Sequence, residues 1–282
     1  MVLENPVVLP EFHKRPDAIA LDLDGTLLDS QGRLSARSSR AIENCLQRGI
    51  PVVIATSRPA RSVRRLIGAE LMGRCSLVLQ NGAIGIGVAP LNGKIKEIIP
   101  PELVREVIRT ILDMEPEMRI TIELEGYRFG TNSPREPASL WEVNSATPDM
   151  QLPLEFVLDD GPTKIAASGL NRDISHVARG ISERFRDSIS VVPTNDMTFL
   201  NITSKKATKP DTLKKLLDSR QIPMENVIAF GDDIPDIGLL EACGIPVAVA
   251  NACPEVKASA RYCTAANDED GVAFVLEKIL EI

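Results

Sequence analysis

The sequence predicts an α/β protein, a doubly wound parallel sheet interrupted by an inserted α+β domain. Three observations predict it. Short apolar runs alternate with helix-period segments at both ends of the chain, the order that builds a parallel sheet with helices on its faces. The middle third replaces that alternation with hairpin signals such as Glu125-Gly126. Four of the apolar runs also end in acidic or polar residues, and ligands bind at the carboxyl edge of such a sheet. Together these place a core domain over residues 1–85 and 196–282 and an inserted domain over 86–195.

The first run, residues 18–21, ends in Asp22-Leu23-Asp24-Gly25-Thr26. A turn-rich segment follows, and Ser35 is placed to cap a helix that stops at Gly49. Residues 50–55 form a second strand ending in Thr56-Ser57-Arg58, and Pro59 opens a basic helix running to about Leu71. Residues 76–80 are a third strand, ending in Asn81-Gly82. In the middle third, 84–88 and 95–99 read as a hairpin, and Pro100-Pro101 opens a helix. Residues 119–124 and 127–129 form a second hairpin, 131–152 carry no clear period, and 154–158 and 163–167 read as strands. A helix carrying Ile174, Val177, Ile181 and Phe185 follows, then strands at 188–192 and 197–202. Strand–helix alternation returns with a helix capped by Thr208, a strand at 226–230 ending in Gly231-Asp232-Asp233-Ile234-Pro235-Asp236, a strand at 245–250 reaching Asn251, a short strand at 262–264 and a helix over 271–279.

Composition narrows the chemistry. A net charge of −7 argues against a nucleic-acid binder held by phosphate contacts. No apolar run approaches the ~18 residues of a membrane span. The first residues lack the basic and apolar pattern of a signal peptide. Five cysteines without a C-x-x-C pair fit reduced thiols in a cytoplasmic protein. The two histidines, His13 and His176, lie in a Pro-flanked leader and a helical pattern, which leaves carboxylate, Lys, Thr and Ser to carry any chemistry.

In a parallel sheet all strand carboxyl ends share one edge, so Asp22, Asp24, Thr56, Asn81 and the acids from Asp232 to Asp236 converge there, with Lys209 at a helix start. Such a cluster is self-repelling. A hard divalent cation relieves it, and an all-oxygen set favours Mg²⁺. A carboxylate beside that ion can attack phosphorus, while Thr56, Lys209 and backbone N–H groups hold the phosphoryl oxygens. Asp233 reads as a helix cap and Asp29 as a turn residue.

From about Asp17 to its end the chain resembles the haloacid dehalogenase (HAD) superfamily of phosphatases, in its Cof-type, subfamily IIB branch with a large inserted cap. Asp22-Leu23-Asp24-Gly25-Thr26 matches the first motif, Ala55-Thr56-Ser57-Arg58 the second, Lys209 the third and Gly231-Asp232-Asp233-Ile234-Pro235-Asp236 the fourth, with tail matches at 247–252 and 267–272. The resemblance implies a Rossmann-like core and a Mg²⁺-dependent phosphatase acting on a small phosphorylated metabolite, a sugar phosphate by family habit. It implies Asp22 as the nucleophile that becomes an aspartyl-phosphate and Asp24 as the acid and base. Asp22, Asp24 (through its carbonyl), Asp232 and Asp236 are the implied metal set, and Thr56, Ser57, Lys209 and Asn251 the phosphate or substrate contacts. Ser57 and Pro210 stand where the family usually has Gly, and Pro235 where it commonly has Asn. Phosphoryl transfer to a second sugar, and a weakly catalytic protein that binds a phosphorylated ligand, are the alternatives. The cap is expected to choose the substrate, with Tyr127, Arg128, Asn132, Arg135, Trp141 and Lys164 as its candidate residues.

Overall fold

The computed structural model describes residues 7–194 and 197–282. β1 (Ala18–Leu21) is buried at every position, as a run apolar on both faces requires. The chain leaves it in one wide turn, Leu23–Leu27, closed by the Leu28 N–H on the Leu23 carbonyl at 2.9 Å. α1 (Ala36–Gln47) begins where the Ser35 hydroxyl accepts from the Ser38 N–H. After β2 (Val52–Ala55), the expected single helix is two, α2 (Ala60–Ile67) and α3 (Ala69–Met72). The break is Gly68, whose φ of +81° lies outside the right-handed helical region. β3 (Ser76–Leu79) is parallel to β2, β4 (Ile84–Ile86) returns antiparallel to β3, and β5 (Lys94–Lys96) pairs antiparallel with β4.

The middle of the chain contributes α4 (Pro101–Met114), β6 (Arg119–Leu124), β7 (Arg128–Thr131), α5 (Pro137–Asn144), β8 (Gln151–Pro153), β9 (Lys164–Ser168), α6 (Ser175–Phe185), β10 (Ile189–Thr194) and β11 (Phe199–Ser204). The segment without a clear period thus holds α5 and β8. The strand expected at 154–158 is instead a tight helical turn, Leu154–Phe156: Val157 is buried in the core, Leu154 and Leu158 pack against it partly buried, and Phe156 is exposed, a pattern without strand alternation. The chain then adds α7 (Lys209–Asp218), β12 (Val227–Gly231), α8 (Ile237–Ala242), β13 (Ile245–Ala248), α9 (Pro254–Ser259), β14 (Tyr262–Cys263) and α10 (Gly271–Leu280).

Two sheets result. The first runs β14-β13-β12-β1-β2-β3-β4-β5 and is parallel from β14 through β3. Its winding reverses between β1 and β12, the crevice where open α/β sheets bind ligands. The second runs β10-β11-β9-β6-β7-β8 and is antiparallel except for β7 with β8. By sheet membership, residues 84–96 go with the first sheet and 199–204 with the second, whereas the sequence reading placed 86–195 in the inserted domain. The boundary expected at 195 and 196 lies outside the described residues. Among the described residues no helix is long and apolar enough to cross a membrane.

The second sheet is two-faced. Ile120, Ile122, Ile165, Ala167, Leu200 and Ile202 pack against α4 and α6 through Val104, Val107, Ile111, Val177 and Ile181. Strand alternation sends the intervening residues to the other face.

Gly82 locks the end of β3 onto the start of α7. Its φ is +100°, and a Cβ there would lie 2.1 Å from the Thr208 carbonyl oxygen. The Thr212 hydroxyl donates to the Gly82 carbonyl at 2.7 Å. Gly82→Ala is therefore expected to lower the unfolding free energy by at least about 2 kcal/mol, seen as a lower urea midpoint. An unchanged midpoint contradicts this packing.

Candidate active site

The β1/β12 crevice gathers the acids that the strand ends carry. The Lys209 ammonium, at the first turn of α7, donates to Asp22 Oδ1 and to Asp236 Oδ1, each at 2.7 Å. All three residues are buried. Asp236 Oδ2 accepts from the N–H groups of Asp232 (3.2 Å) and Asp233 (3.3 Å), which folds the loop after β12 back on itself. Asp232 Oδ1 accepts from the Thr26 hydroxyl at 2.6 Å. Asp22, Asp232 and Asp236 each bring a carboxylate oxygen within 4.8 Å of the others.

Three carboxylates against one ammonium leave this cluster short of positive charge. Burial and the neighbouring Asp236 hold the Asp22 carboxyl well above its ordinary range, against the pull of Lys209. Burial likewise pushes Asp232 up to about 6. Asp22 Oδ2 and Asp232 Oδ2 accept no hydrogen bond among the described residues. The donor set is all oxygen, so the residues fit a hard divalent cation. Gly25 leaves room for the Asp232 carboxylate. At φ +76°, a Cβ there would lie 2.3 Å from Asp232 Oδ2.

The other expected residues divide. Asp24 forms a bidentate pair with Arg58, Nε and Nη2 each 2.7 Å from a carboxylate oxygen, and both line the cavity. Ser57 is also on the cavity wall. Thr56 is fully buried behind it, its hydroxyl accepting from the Arg58 N–H at 3.1 Å. Asn251 is not on the wall, and its amide bridges the loop after β1 to the chain's tail. Nδ2 donates to the Gly25 carbonyl at 2.7 Å and Oδ1 accepts from the Asn267 N–H at 3.0 Å. Pro210 sits in the first turn of α7, where its missing N–H costs no helix bond. Asp233 caps its turn by accepting from the Ile234 N–H.

Above this cluster lies a cavity of about 610 Å³ roofed by the second sheet. The roof is the polar face of that sheet, including Arg119, Thr121 and Glu123 on β6 and Lys164 and Ser168 on β9. Of the cap candidates, Arg135 and Lys164 line the cavity. Tyr127, Arg128, Asn132 and Trp141 do not. Asn132 instead bonds the backbone of Ile120 and Met118, and Trp141 stacks on Arg65 at 5.4 Å. Arg119, Thr121 and Glu123 were missed, although the alternation Arg-Ile-Thr-Ile-Glu-Leu of 119–124 marks them as one polar face.

Two features tie roof to floor. Arg61 of α2 makes a buried bidentate pair with Glu123, both bonds 2.6 Å, stacks on Phe129 at 4.5 Å, and donates from Nε to the Asn144 carbonyl. Lys164 Nζ donates to the Ser57 carbonyl at 3.1 Å. At the end of β3, Asn81 is buried on the cavity wall, and neither Oδ1 nor Nδ2 of its side chain has a hydrogen-bond partner among the described residues. An orphaned amide at this depth points to a group that arrives with a ligand.

Comparison with known proteins bears on this arrangement. The family described as haloacid dehalogenase-like hydrolase matches residues 19–276. A Haemophilus influenzae protein classed as a phosphatase is 31% identical over 270 residues, 93% of this chain and 97% of its own length. A haloacid dehalogenase-like hydrolase from Bacteroides thetaiotaomicron has a solved structure with TM-score 0.79 and 25% identity, covering 94% of this chain and 100% of that one. A structure described as a HAD subclass IIB sugar phosphatase shares the fold at TM-score 0.74 and 21% identity, over 94% of this chain and 100% of that one.

Burial pushes the Lys164 ammonium down to about 8, against the pull of Glu123 and with the help of Arg61 and Arg58. The unfolded chain then binds more protons than the folded one between pH 8 and the ordinary lysine value of 10.5, so this residue's contribution to stability rises with pH across that window and is lost as pH falls through about 8. Wild type is expected to gain up to about 3 kcal/mol over Lys164→Met between these limits, read by chemical unfolding at each pH. Parallel stability curves contradict the assignment.

Proposed function

The chain belongs to the haloacid dehalogenase-like hydrolase family and is a phosphatase; from that premise we propose that it is a Mg²⁺-dependent phosphomonoesterase that hydrolyses a small sugar phosphate through a phosphoryl group carried on Asp22. The observation that carries this reading is the convergence of the Asp22, Asp232 and Asp236 carboxylates on one another, offset by a single buried ammonium that bonds only Asp22 and Asp236. Asp22 and Asp232, each with an oxygen that accepts no hydrogen bond among the described residues, would hold the metal with the Asp24 carbonyl, and Asp236 would support it. Mg²⁺ supplies the charge that offsets repulsion between the Asp22 carboxylate and the phosphoryl oxygens.

In this reading an Asp22 oxygen attacks phosphorus, and the bond from phosphorus to the ester oxygen breaks. Asp24 gives its proton to the departing alkoxide. Water then attacks the same phosphorus, Asp24 takes a proton from it, and the bond to Asp22 breaks to release inorganic phosphate. Arg58 must yield part of its bidentate grip for Asp24 to act. Lys209 stays on Asp22 and neutralises the phosphoryl charge, with Thr56 holding the loop and Ser57 on the wall. The orphaned Asn81 amide supports a role for it beside the phosphoryl group, which the motif set does not include. Asn251 positions the loop after β1.

A cavity of about 610 Å³ is of the size that holds a small metabolite. Thr121, Ser133, Gln151, Ser168, Thr194 and Asn201 on its walls suit an alcohol-rich ligand, which supports the sugar-phosphate reading. The five cysteines carry no disulfide, in keeping with a cytoplasmic protein.

Wild type is expected to hydrolyse p-nitrophenyl phosphate with Mg²⁺ and to lose turnover in EDTA. Asp22→Asn should lower kcat by at least about a thousandfold while leaving the urea midpoint in the folded range. Turnover that survives EDTA, or an Asp22→Asn variant with wild-type rate, contradicts the proposal.

A further inference from the structure

The cavity carries six basic side chains, and they are not equivalent. Arg58 is spent on Asp24, Arg61 on Glu123, and Lys209 on Asp22 and Asp236. Lys164 bonds the Ser57 carbonyl and stands opposite Glu123 in the β6–β9 register. Arg119 and Arg135 remain, half-buried on the cavity wall, and neither guanidinium has a carboxylate partner among the described residues. The acids on this wall are Asp22, Asp24, Glu123, Asp233 and Asp236, and all but Asp233, a helix cap, already face a cation.

Position separates these two arginines from the phosphoryl site. On β6, Glu123 lies at the floor end, where Lys164 reaches Ser57 and Arg61 rises from the core. Arg119 is four residues away on the same face, roughly 13 Å along the strand at the usual rise, with Ser168 beside it in register. Arg135 is set by a two-point clamp. Its N–H donates to Gln151 Oε1 and its carbonyl accepts from Gln151 Nε2, both at 2.9 Å. Arg119 and Arg135 line the same cavity, and the chain just before Arg135 is tied to the Arg119 end of β6 by the Asn132 N–H on the Ile120 carbonyl at 3.3 Å. Burial and the charge of Arg119 both press Arg135 below its ordinary value. Two like charges brought together in a concave, partly dry site are stabilised by an anion between them.

We propose that Arg119 and Arg135 form a second anion site at the far end of the cavity, so that the preferred substrate is a phosphate ester carrying a second anionic group, a carboxylate or another phosphate, several bonds from the ester that is cleaved. This rests on the phosphatase reading for which end of the cavity does the chemistry. The guanidiniums form bidentate hydrogen bonds to that second group, and a sugar-sized spacer spans the polar wall between the two ends.

The test compares matched esters: fructose monophosphate with fructose bisphosphate, and glucose phosphate with phosphogluconate. The bisphosphate pair and the carboxylate pair identify which anion is read. Wild type is expected to favour the member with the second anion in kcat/KM. R119Q and R135Q should each cut that preference about tenfold, the loss of one charge-assisted hydrogen-bonding group. Calorimetric binding of the same four esters to wild type and to the R119Q/R135Q double variant runs alongside. If no ester turns over but the second anion still tightens binding and the double variant loses that gain, the phosphatase reading fails and the anion site stands. Equal preference and equal binding within each pair, or a preference that both variants retain, overturns the second anion site while leaving hydrolysis of p-nitrophenyl phosphate to speak for the catalytic end.

Discussion

One buried ammonium organises the core. Lys209 sits 2.7 Å from both Asp22 and Asp236, and neither side could be buried alone. An unpaired charge at that depth costs several kcal/mol, and removing one partner leaves the other exposed to that cost. The surrounding chain is built to bring the three together. β1 delivers Asp22, the folded-back loop after β12 delivers Asp236, and Gly82 presses the start of α7 close enough for Lys209 to reach both. With Asp232 added, the balance is still negative, and it is this excess that supports the proposed divalent cation site.

The inserted sheet works by a different rule. Its strands bury every second residue against α4 and α6, and the alternate set forms a polar roof over the crevice. In the proposed reading, chemistry and selectivity are therefore carried by different physical devices. The floor gathers charge at strand ends, where only a few residue types can stand. The roof is a pleated surface whose side chains can change without disturbing the apolar face behind them. The Arg61–Glu123 pair, buried between the two, holds the roof in register with the floor.

Much of this was legible in the sequence for physical reasons that can be named. Strands buried on both faces leave unbroken apolar runs, so β1, β2, β3 and β12 could be read directly; the acids ending β1 could each be a turn residue, and it is their recurrence after β12, with polar ends on β2 and β3, that points to a charged site. Helix breaks such as Gly68 were less visible, because a glycine inside a helical period is often tolerated. Strand pairing across the insertion was less visible still. Nothing local in 84–96 says that it extends the core sheet, and the apolar run at 154–158 looks like a strand although its core-facing residues, Leu154, Val157 and Leu158, follow the spacing of a turn rather than strand alternation. Asn251 was legible as a motif residue, though not the contacts its amide makes, and Asn81 was legible only as a polar strand end, because its unsatisfied amide is visible only once the fold closes around it.

The central claim is that Asp22 and Asp232 complete a cation site whose excess negative charge Lys209 offsets only in part. Titration of Mn²⁺ into the protein, followed by electron paramagnetic resonance, tests it directly and requires no substrate. One bound Mn²⁺ per chain, displaced by Mg²⁺ and lost in Asp232→Asn, is the result the account predicts. Binding that is unchanged in Asp232→Asn, or no binding to the folded wild type at all, would contradict it.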